Sequence, residues 1–157
     1  MSSIFISHAS SDKKTAEQLK KDLEELGHEI WIDYSKIDVG ENLKDEIYKG
    51  LSDCDFLVVI FSRTSVDSDW VKEEWTQKCD EEETSGRVMV FPAVIEHVEI
   101  PLRLSNRRYA DLHSSYLRGL FDLHRAIEKN DDHVLKPTES GSVFAVPKPQ
   151  GISDFLT

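Results

Sequence analysis

The sequence contains only two cysteines, Cys54 and Cys79, among its 157 residues. They lack the paired spacing of a zinc site, and two cysteines are too few for a disulfide framework. The six histidines are also scattered without the spacing of metal ligands. The sequence therefore predicts no metal site, and the low cysteine content favours a reducing compartment.

Positive charge is scarce as well. Nineteen Lys and Arg residues stand against 30 Asp and Glu residues, which gives a formal net charge of −11. Nucleic acids and anionic membranes are bound through clustered Lys and Arg side chains, so the composition argues against both as partners. No apolar run approaches the ~20 residues of a membrane-spanning helix, and the sequence begins without a charged and then apolar leader. We therefore expect a soluble, cytoplasmic protein.

Several motifs of common enzyme classes are missing too. No Gly-x-Gly-x-x-Gly follows the first predicted strand, no Walker phosphate loop occurs, and no Ser-His-Asp or Cys-His set can be assembled by motif. A phosphorylated receiver domain would need an acceptor aspartate at the end of its third strand, where this chain has Ser62. These absences argue against the corresponding enzyme classes and against a receiver domain.

The strongest secondary-structure signal is Phe56–Phe61, a run of six apolar residues. Such a run, followed by polar turn residues, is typical of a central strand that is buried on both faces of a parallel sheet. Asp67 or Ser68 is placed to cap a helix just beyond it. One side of that helix carries residues at spacings of three and four: Trp70, Val71, Glu74, Trp75 and Lys78.

Strands and helices alternate along the rest of the chain. Further strands are predicted at 4–6, 29–33, 88–95 and 107–112, and Pro92 indicates that the fourth lies near a sheet edge or at a bulge. The predicted buried helix stripes are Ala16, Leu19, Leu23 and Leu26, ended by Gly27; Leu43, Ile47 and Leu51; and Leu117, Leu120, Phe121, His124 and Ile127, capped by Ser114 or Ser115. The predicted fold is α/β, with a central, mostly parallel five-stranded sheet flanked by helices.

Three other features favour structural roles. The acidic residues 80–83 are interpreted as a solvated helix end, and His124 as a packed core residue rather than a ligand. From 131 onwards the chain is rich in proline and glycine, which is typical of linkers and tails. We therefore predict a domain at 1–130 and a tail or linker at 131–157.

Glu74 stands out because it lies among apolar neighbours, one helical turn after Trp70. Ligands of open α/β sheets bind outside the carboxyl ends of the strands, and the loop at 62–69 leaves such an end. Trp70 and Glu74 are therefore expected to border that crevice, where a half-buried carboxylate beside an indole ring suits a nucleotide. The alternative is an ordinary amphipathic helix whose glutamate reaches water.

Three segments resemble the boxes of the Toll/interleukin-1 receptor (TIR) domain family. Ile4-Phe-Ile-Ser-His8 with Asp12 resembles the first box, and Trp31-Ile-Asp33 with Lys36 and Gly40 resembles the second strand and the BB loop. Ser68-x-Trp70-x-x-x-Glu74 resembles the motif of the catalytic members. The resemblance covers about residues 3–130, is nearest to the bacterial NAD+-cleaving branch, and implies a flavodoxin-like fold.

The resemblance also implies an activity. Members of this branch act as NAD+ nucleosidases or ADP-ribose cyclases, with NAD+ as substrate and without a cofactor. By residue-for-residue match, Glu74 would be the catalytic carboxylate. The residues implied to bind substrate are Ser7, His8, Asp33, Lys36 and Trp70, and the loop at 36–40 would act as a lid.

The resemblance leaves more than one biological role open. An enzyme of prokaryotic antiviral defence would make ADP-ribose or a cyclic ADP-ribose signal for a separate effector. The alternatives are a non-enzymatic scaffold that signals through contacts between TIR domains, and a bacterial virulence protein. Self-association is expected for both the enzyme and the scaffold.

Overall fold

The structure, a computed structural model, describes residues 2–32 and 39–131. Its elements are β1 (Ser3–Ser7), α1 (Lys13–Glu25), β2 (Glu29–Trp31), α2 (Leu43–Asp53), β3 (Phe56–Phe61), α3 (Asp69–Ser85), β4 (Val90–Val94), β5 (Ala110–Asp111) and α4 (Tyr116–Asn130). The predicted alternation is confirmed. Of the predicted tail, only Asp131 falls within the described residues. No helix in the described ranges is long and apolar enough to cross a membrane.

The five described strands form one sheet in the order β2-β1-β3-β4-β5, and every pairing is parallel. This is the flavodoxin-like order, so the predicted fold class is confirmed. All six residues of the central strand β3 are fully buried. Its uninterrupted apolar run reflects this position, because helices cover both faces of the sheet.

The core consists of two apolar layers, one on each face of the sheet. On one face, α1 and α4 pack through Leu19, Leu23, Leu120, Leu123 and Ile127. On the other, α2 and α3 pack through Ile47, Leu51, Val71, Trp75 and Cys79. Glu74 belongs to the second face, since it lies on α3.

Two serines and one glycine lie at the predicted ends of the helices. The Ser68 hydroxyl accepts a hydrogen bond from the Val71 amide and caps α3, and Ser115 caps α4 in the same way. Gly27 follows α1 with a φ of +99°, the left-handed conformation that glycine adopts without strain. Three of the predicted helix limits thus rest on the residues named for them.

Two leucines predicted in buried stripes are exposed. Leu43 is 47% exposed at the start of α2, and Leu117 is 58% exposed in the first turn of α4. The orientation of α4 is set by Gly119, where an added Cβ would lie only 2.6 Å from Leu112 Cδ2. Because Gly119 faces β5 so closely, Leu117 is turned towards solvent.

The predicted outer strands are longer than those observed. β5 consists of only two residues, and the predicted residue Arg107 lies before it, where its side chain binds Glu82 and the Val90 carbonyl. β4 lies next to this edge strand, as Pro92 led us to expect. Pro92 precedes the first residue of β4 that pairs with β5, Ala93.

The interpretation of the acidic end of α3 as solvated is wrong for Glu82. Its carboxylate accepts two hydrogen bonds from Arg107, at 2.9 and 3.0 Å, and one from each of the Met89 and Val90 amides, at 2.7 Å. Burial opposes ionisation of Glu82, but these hydrogen bonds outweigh it and lower its pKa. Glu82 therefore joins the end of α3 to β4 and to the segment before β5.

Candidate active site

The candidate site is built around a direct contact between Ser7 and Glu74. Ser7 is the last residue of β1, and its hydroxyl donates a hydrogen bond of 2.6 Å to Glu74 Oε1 on α3. Alternate residues of a strand face the same side of a sheet, so Ser7 shares the face of Phe5, which packs in the layer of α2 and α3. The two groups meet at the carboxyl end of β1, the edge predicted for a ligand.

Glu74 is a buried carboxyl group whose side chain is not turned out to water. Only 3% of the residue is exposed. Burial raises its pKa to about 7, hydrogen bonds from Ser7 and Trp70 oppose this rise, and the charge of Glu73 adds to it. The structural alternative, in which Glu74 reaches water from an ordinary amphipathic helix, is therefore wrong.

Trp70 lies one turn before Glu74 and is partly buried. Its ring stacks on Tyr48 of α2, with the ring centroids 6.4 Å apart and an interplanar angle of 10°. Tyr48 is held in turn, because its hydroxyl donates to Glu73 Oε1 at 3.0 Å. One side of the Trp70 indole is thus directed towards Tyr48, and its stacking on a nucleotide base stays a prediction.

A second long-range hydrogen bond joins the two loops that border the site. The Ser62 hydroxyl, just after β3, donates to Asp12 Oδ2 at 2.5 Å. Ser62 is fully buried and also exchanges hydrogen bonds with Ser65, at 2.8 and 3.1 Å. This hydrogen bond ties the loop that follows Ser7 to the loop that leads into α3. It therefore fixes the distance between the two loops that border the site.

Of the other predicted site residues, only His8 lies within the described part of the chain. His8 directly follows Ser7 at the end of β1 and is half-buried. Asp33 and Lys36 lie outside the described residues, as does most of the loop at 36–40. The structure thus brings Ser7, Trp70 and Glu74 together, whereas Asp33 and Lys36 stay predictions.

Sequence reasoning missed the groups that support the site. Tyr48 and Ser62 lie on elements other than the one that carries Glu74, and no local spacing links them to it. Asp12 was noted in the first box, but its partner was not identified. Within the described ranges, no group of three or more His, Cys, Asp or Glu residues is arranged to hold a metal ion.

Comparison with known sequences adds curated relatives. The chain is 33% identical over 94 residues to the 2′ cyclic ADP-D-ribose synthase AbTIR of Acinetobacter baumannii, covering 57% of this chain and 33% of that protein. It is 37% identical over 71 residues both to the 2′ cyclic ADP-D-ribose synthase BtTIR of Bacteroides thetaiotaomicron and to the NAD(+) hydrolase TcpC of Escherichia coli. Each of these two matches covers 45% of this chain, and 25% and 23% of the respective relative. The chain thus spans a third or less of these relatives.

Solved structures share the fold at low sequence identity. The TIR domain of the Toll-related receptor TRR-2 from Hydra magnipapillata aligns with a TM-score of 0.63 and 16% identity, covering 80% of this chain and 99% of that domain. The TIR domains of the activated Roq1 resistosome align with a TM-score of 0.55 and 20% identity, covering 99% of this chain and 98% of that chain. A family model described as the TIR domain matches residues 4–124. Since that match covers most of the chain, including Ser7, Glu74 and most of α4, the chain belongs to the TIR domain family.

Proposed function

We propose that this chain cleaves the glycosidic bond between nicotinamide and ribose in NAD+, with Glu74 as the catalytic carboxylate. The observation that supports the proposal most is the buried Glu74, hydrogen-bonded by Ser7 at the carboxyl end of β1. Sequence similarity to three relatives also supports the proposal, since two are named as cyclic ADP-ribose synthases and one as an NAD+ hydrolase.

The chemistry follows from the position of the charge. When nicotinamide leaves, it takes the bonding electron pair, and positive charge develops on the ribose carbon that it leaves. An ionised Glu74 in a water-poor site stabilises that charge more strongly than a carboxylate in water would. Ser7 holds Oε1 in place, so that little reorganisation accompanies the reaction.

The ribosyl group is then captured by a nucleophile. Attack by water gives ADP-ribose, and attack by a hydroxyl of the same molecule gives a cyclic product; in both cases the attacking oxygen loses a proton. A carboxyl group with a pKa of about 7 is suited to accept it near neutral pH. Ser7, His8, Trp70, Asp33 and Lys36 are proposed to bind the substrate, without a cofactor.

The first test compares two adjacent glutamates. Purified chain at high concentration, with and without a crowding agent, is incubated with NAD+, and nicotinamide and ribosylated products are resolved by chromatography and mass. We expect Glu74→Gln to lower turnover by about 100-fold or more, since it removes the charge that stabilises the transition state. The matched control Glu73→Gln changes an exposed neighbour and keeps most of the activity.

The result separates the possible functions. The mass of the product distinguishes hydrolysis from cyclisation. A Glu74→Gln protein that cleaves NAD+ at the wild-type rate would contradict the assignment of Glu74. A wild-type chain that leaves NAD+ intact under every assembling condition would favour the non-enzymatic scaffold.

Self-association forms a second part of the proposal. The similarity to the TIR domains of the activated Roq1 resistosome supports assembly, and sedimentation over a range of concentrations tests it. A cytoplasmic role in antiviral defence, with a separate effector that senses the product, is proposed on the resemblance alone. Protection of a bacterial host from phage by the wild type, but not by Glu74→Gln, would support it over a virulence role.

A further inference from the structure

A cavity lies between α4 and the β4–β5 edge of the sheet. Its volume is about 320 Å³, and Phe91, Leu123 and Ala126 contribute apolar lining. These residues belong to the core layer of α1 and α4, whereas Glu74 lies on α3, on the opposite face of the sheet. The cavity is therefore separate from the candidate active site.

Cationic side chains line the same cavity. Arg125 and Lys129 lie one helical turn apart on α4, and Arg108 approaches from the segment before β5. One carboxylate holds two of them: Asp122 Oδ2 lies 3.3 Å from Arg108 Nη2, and Asp122 Oδ1 lies 3.7 Å from Arg125 Nη2. Three cations against one carboxylate leave a local excess of positive charge, although the whole chain carries −11.

We propose that this cavity binds a small organic phosphate with a flat apolar body, of the class of a nucleoside monophosphate. Guanidinium groups match the geometry of phosphate oxygens and bind them through charged hydrogen bonds. The apolar lining and Pro92 then accept the flat body. The volume is at the lower end of the range of ligand pockets, about 300–1,000 Å³, so the cavity suits one nucleoside rather than a dinucleotide.

The binding test uses the full chain and three probes. Adenosine 5′-monophosphate, adenosine and inorganic phosphate are each titrated while the backbone amide signals are followed by NMR. We expect the monophosphate to shift the amides of Ala110 and Ala126 in a saturable way. Adenosine lacks the charge and phosphate lacks the flat body, so each should bind about tenfold more weakly or worse.

Exposed residues allow variants that leave the core untouched. Arg125→Gln and Lys129→Gln should each weaken binding of the monophosphate by about tenfold, because each removes one charged contact. Arg118→Gln is the matched control, since Arg118 is an exposed arginine of α4 that does not line this cavity. The Arg118→Gln chain should bind the monophosphate with the same affinity as the wild type.

Several results would overturn the proposal. Shifts confined to Ser7 and Trp70 would place the nucleotide in the candidate active site instead. Phosphate that binds as tightly as the monophosphate would exclude a role for the apolar body. A lack of saturation, or wild-type affinity in both Arg125→Gln and Lys129→Gln, would exclude a cationic site, whatever the outcome of the NAD+ assay.

Discussion

Glu74 is a carboxyl group that changes charge near neutral pH, and this affects stability as well as chemistry. Its pKa is raised from 4.5 to about 7 in the folded chain. Below pH 4.5 both the folded and the unfolded chain carry the proton. Above 4.5 the unfolded chain loses it first, so the folded chain loses stability as pH rises, by about 3 kcal/mol once pH exceeds 7.

We therefore expect Glu74→Gln to unfold at higher urea concentration than the wild type at pH 8, and at a similar concentration at pH 4.5. Glutamine stays neutral at both values and can still accept the hydrogen bond from Ser7. Urea unfolding at the two pH values measures the difference, with Glu25→Gln on α1 as the control at an exposed position. An equal effect of Glu74→Gln at both pH values would contradict the raised pKa.

Ser7 is expected to control the pH dependence of the proposed reaction. Its hydrogen bond stabilises the ionised form of Glu74, so Ser7→Ala should raise the pKa of Glu74 further. If the ionised form is the active one, the acid limb of the rate profile moves to higher pH, and activity near pH 7 falls. The rate of nicotinamide release between pH 5.5 and 9 measures this shift.

The control for that profile is Ser11→Ala, which changes an exposed serine in the loop that follows β1. It should leave the acid limb where it is in the wild type. If Ser7→Ala lowers the rate at every pH without shifting the acid limb, then Ser7 acts only by positioning Glu74.

At the residue scale, the sequence predicted those site residues that lie together in one short motif. The spacing from Trp70 to Glu74 is local, and one helix turn determines it. The contact with Ser7 was expected only as part of a shared pocket, because it depends on β1 and β3 being neighbours in the sheet. The stack of Trp70 on Tyr48 depends on how α2 lies against α3, and no local pattern specifies that.

Among the helices, the junction of α2 with α3 depends on one buried lysine. Lys78 of α3 is fully buried, and its Nζ donates to the carbonyls of Leu51 and Cys54 at 2.9 and 2.6 Å. Leu51 lies in the last turn of α2 and Cys54 directly follows this helix, where a cation is favoured by the helix dipole; the Leu51 carbonyl also accepts a hydrogen bond of 3.2 Å from the Cys54 amide. A salt bridge of 3.0 Å to Glu81 adds to the same contact.

Lys78→Met should therefore lower the free energy of unfolding by about 3 kcal/mol, because it removes two buried hydrogen bonds from a charged donor and the salt bridge to Glu81. Lys72→Met is the matched control, since Lys72 is an exposed lysine of the same helix. Its effect should stay within about 0.5 kcal/mol. Urea unfolding at pH 7 measures both, and a Lys78→Met effect as small as that of the control would contradict the role.

Prediction of the elements worked best where one pattern dominates. The six apolar residues of β3 gave its position directly, and each observed cap, Ser68 and Ser115, is one of the two residues named for it. The prediction failed where a distant contact decides the outcome. Leu117 is exposed because of the close approach of Gly119 to β5, and Glu82 is bound because of Arg107.

On the scale of the whole molecule, the start of β1, the segment before β2 and the end of α4 meet in one buried cluster. His28 Nε2 and His124 Nδ1 lie 2.8 Å apart, and the Ser2 hydroxyl donates to Asp131. Burial, and then His124, lower the pKa of His28 from 6.5 to about 4. His28 thus stays neutral in the folded chain under mildly acidic conditions.

This pair predicts a loss of stability in acid. Above pH 6.5 both states carry a neutral His28. As pH falls from 6.5 to 4 the unfolded chain takes up a proton that the folded chain does not, which costs about 3 kcal/mol. We expect His28→Gln to gain stability at pH 4.5 relative to pH 7, compared with the wild type in the same urea experiment. The exposed control His113→Gln should show no such gain, and a His28→Gln protein that behaves like this control would contradict the prediction.

The strand order has a consequence for synthesis of the chain. β1 pairs with β2 on one side, but its other partner, β3, begins only at Phe56. While the ribosome makes the segment between them, Ile4 and Ile6 remain on an open strand edge, the kind of surface that promotes aggregation. The arrangement that brings Ser7 to Glu74 in the finished domain thus leaves one edge of β1 unpaired until β3 has been made.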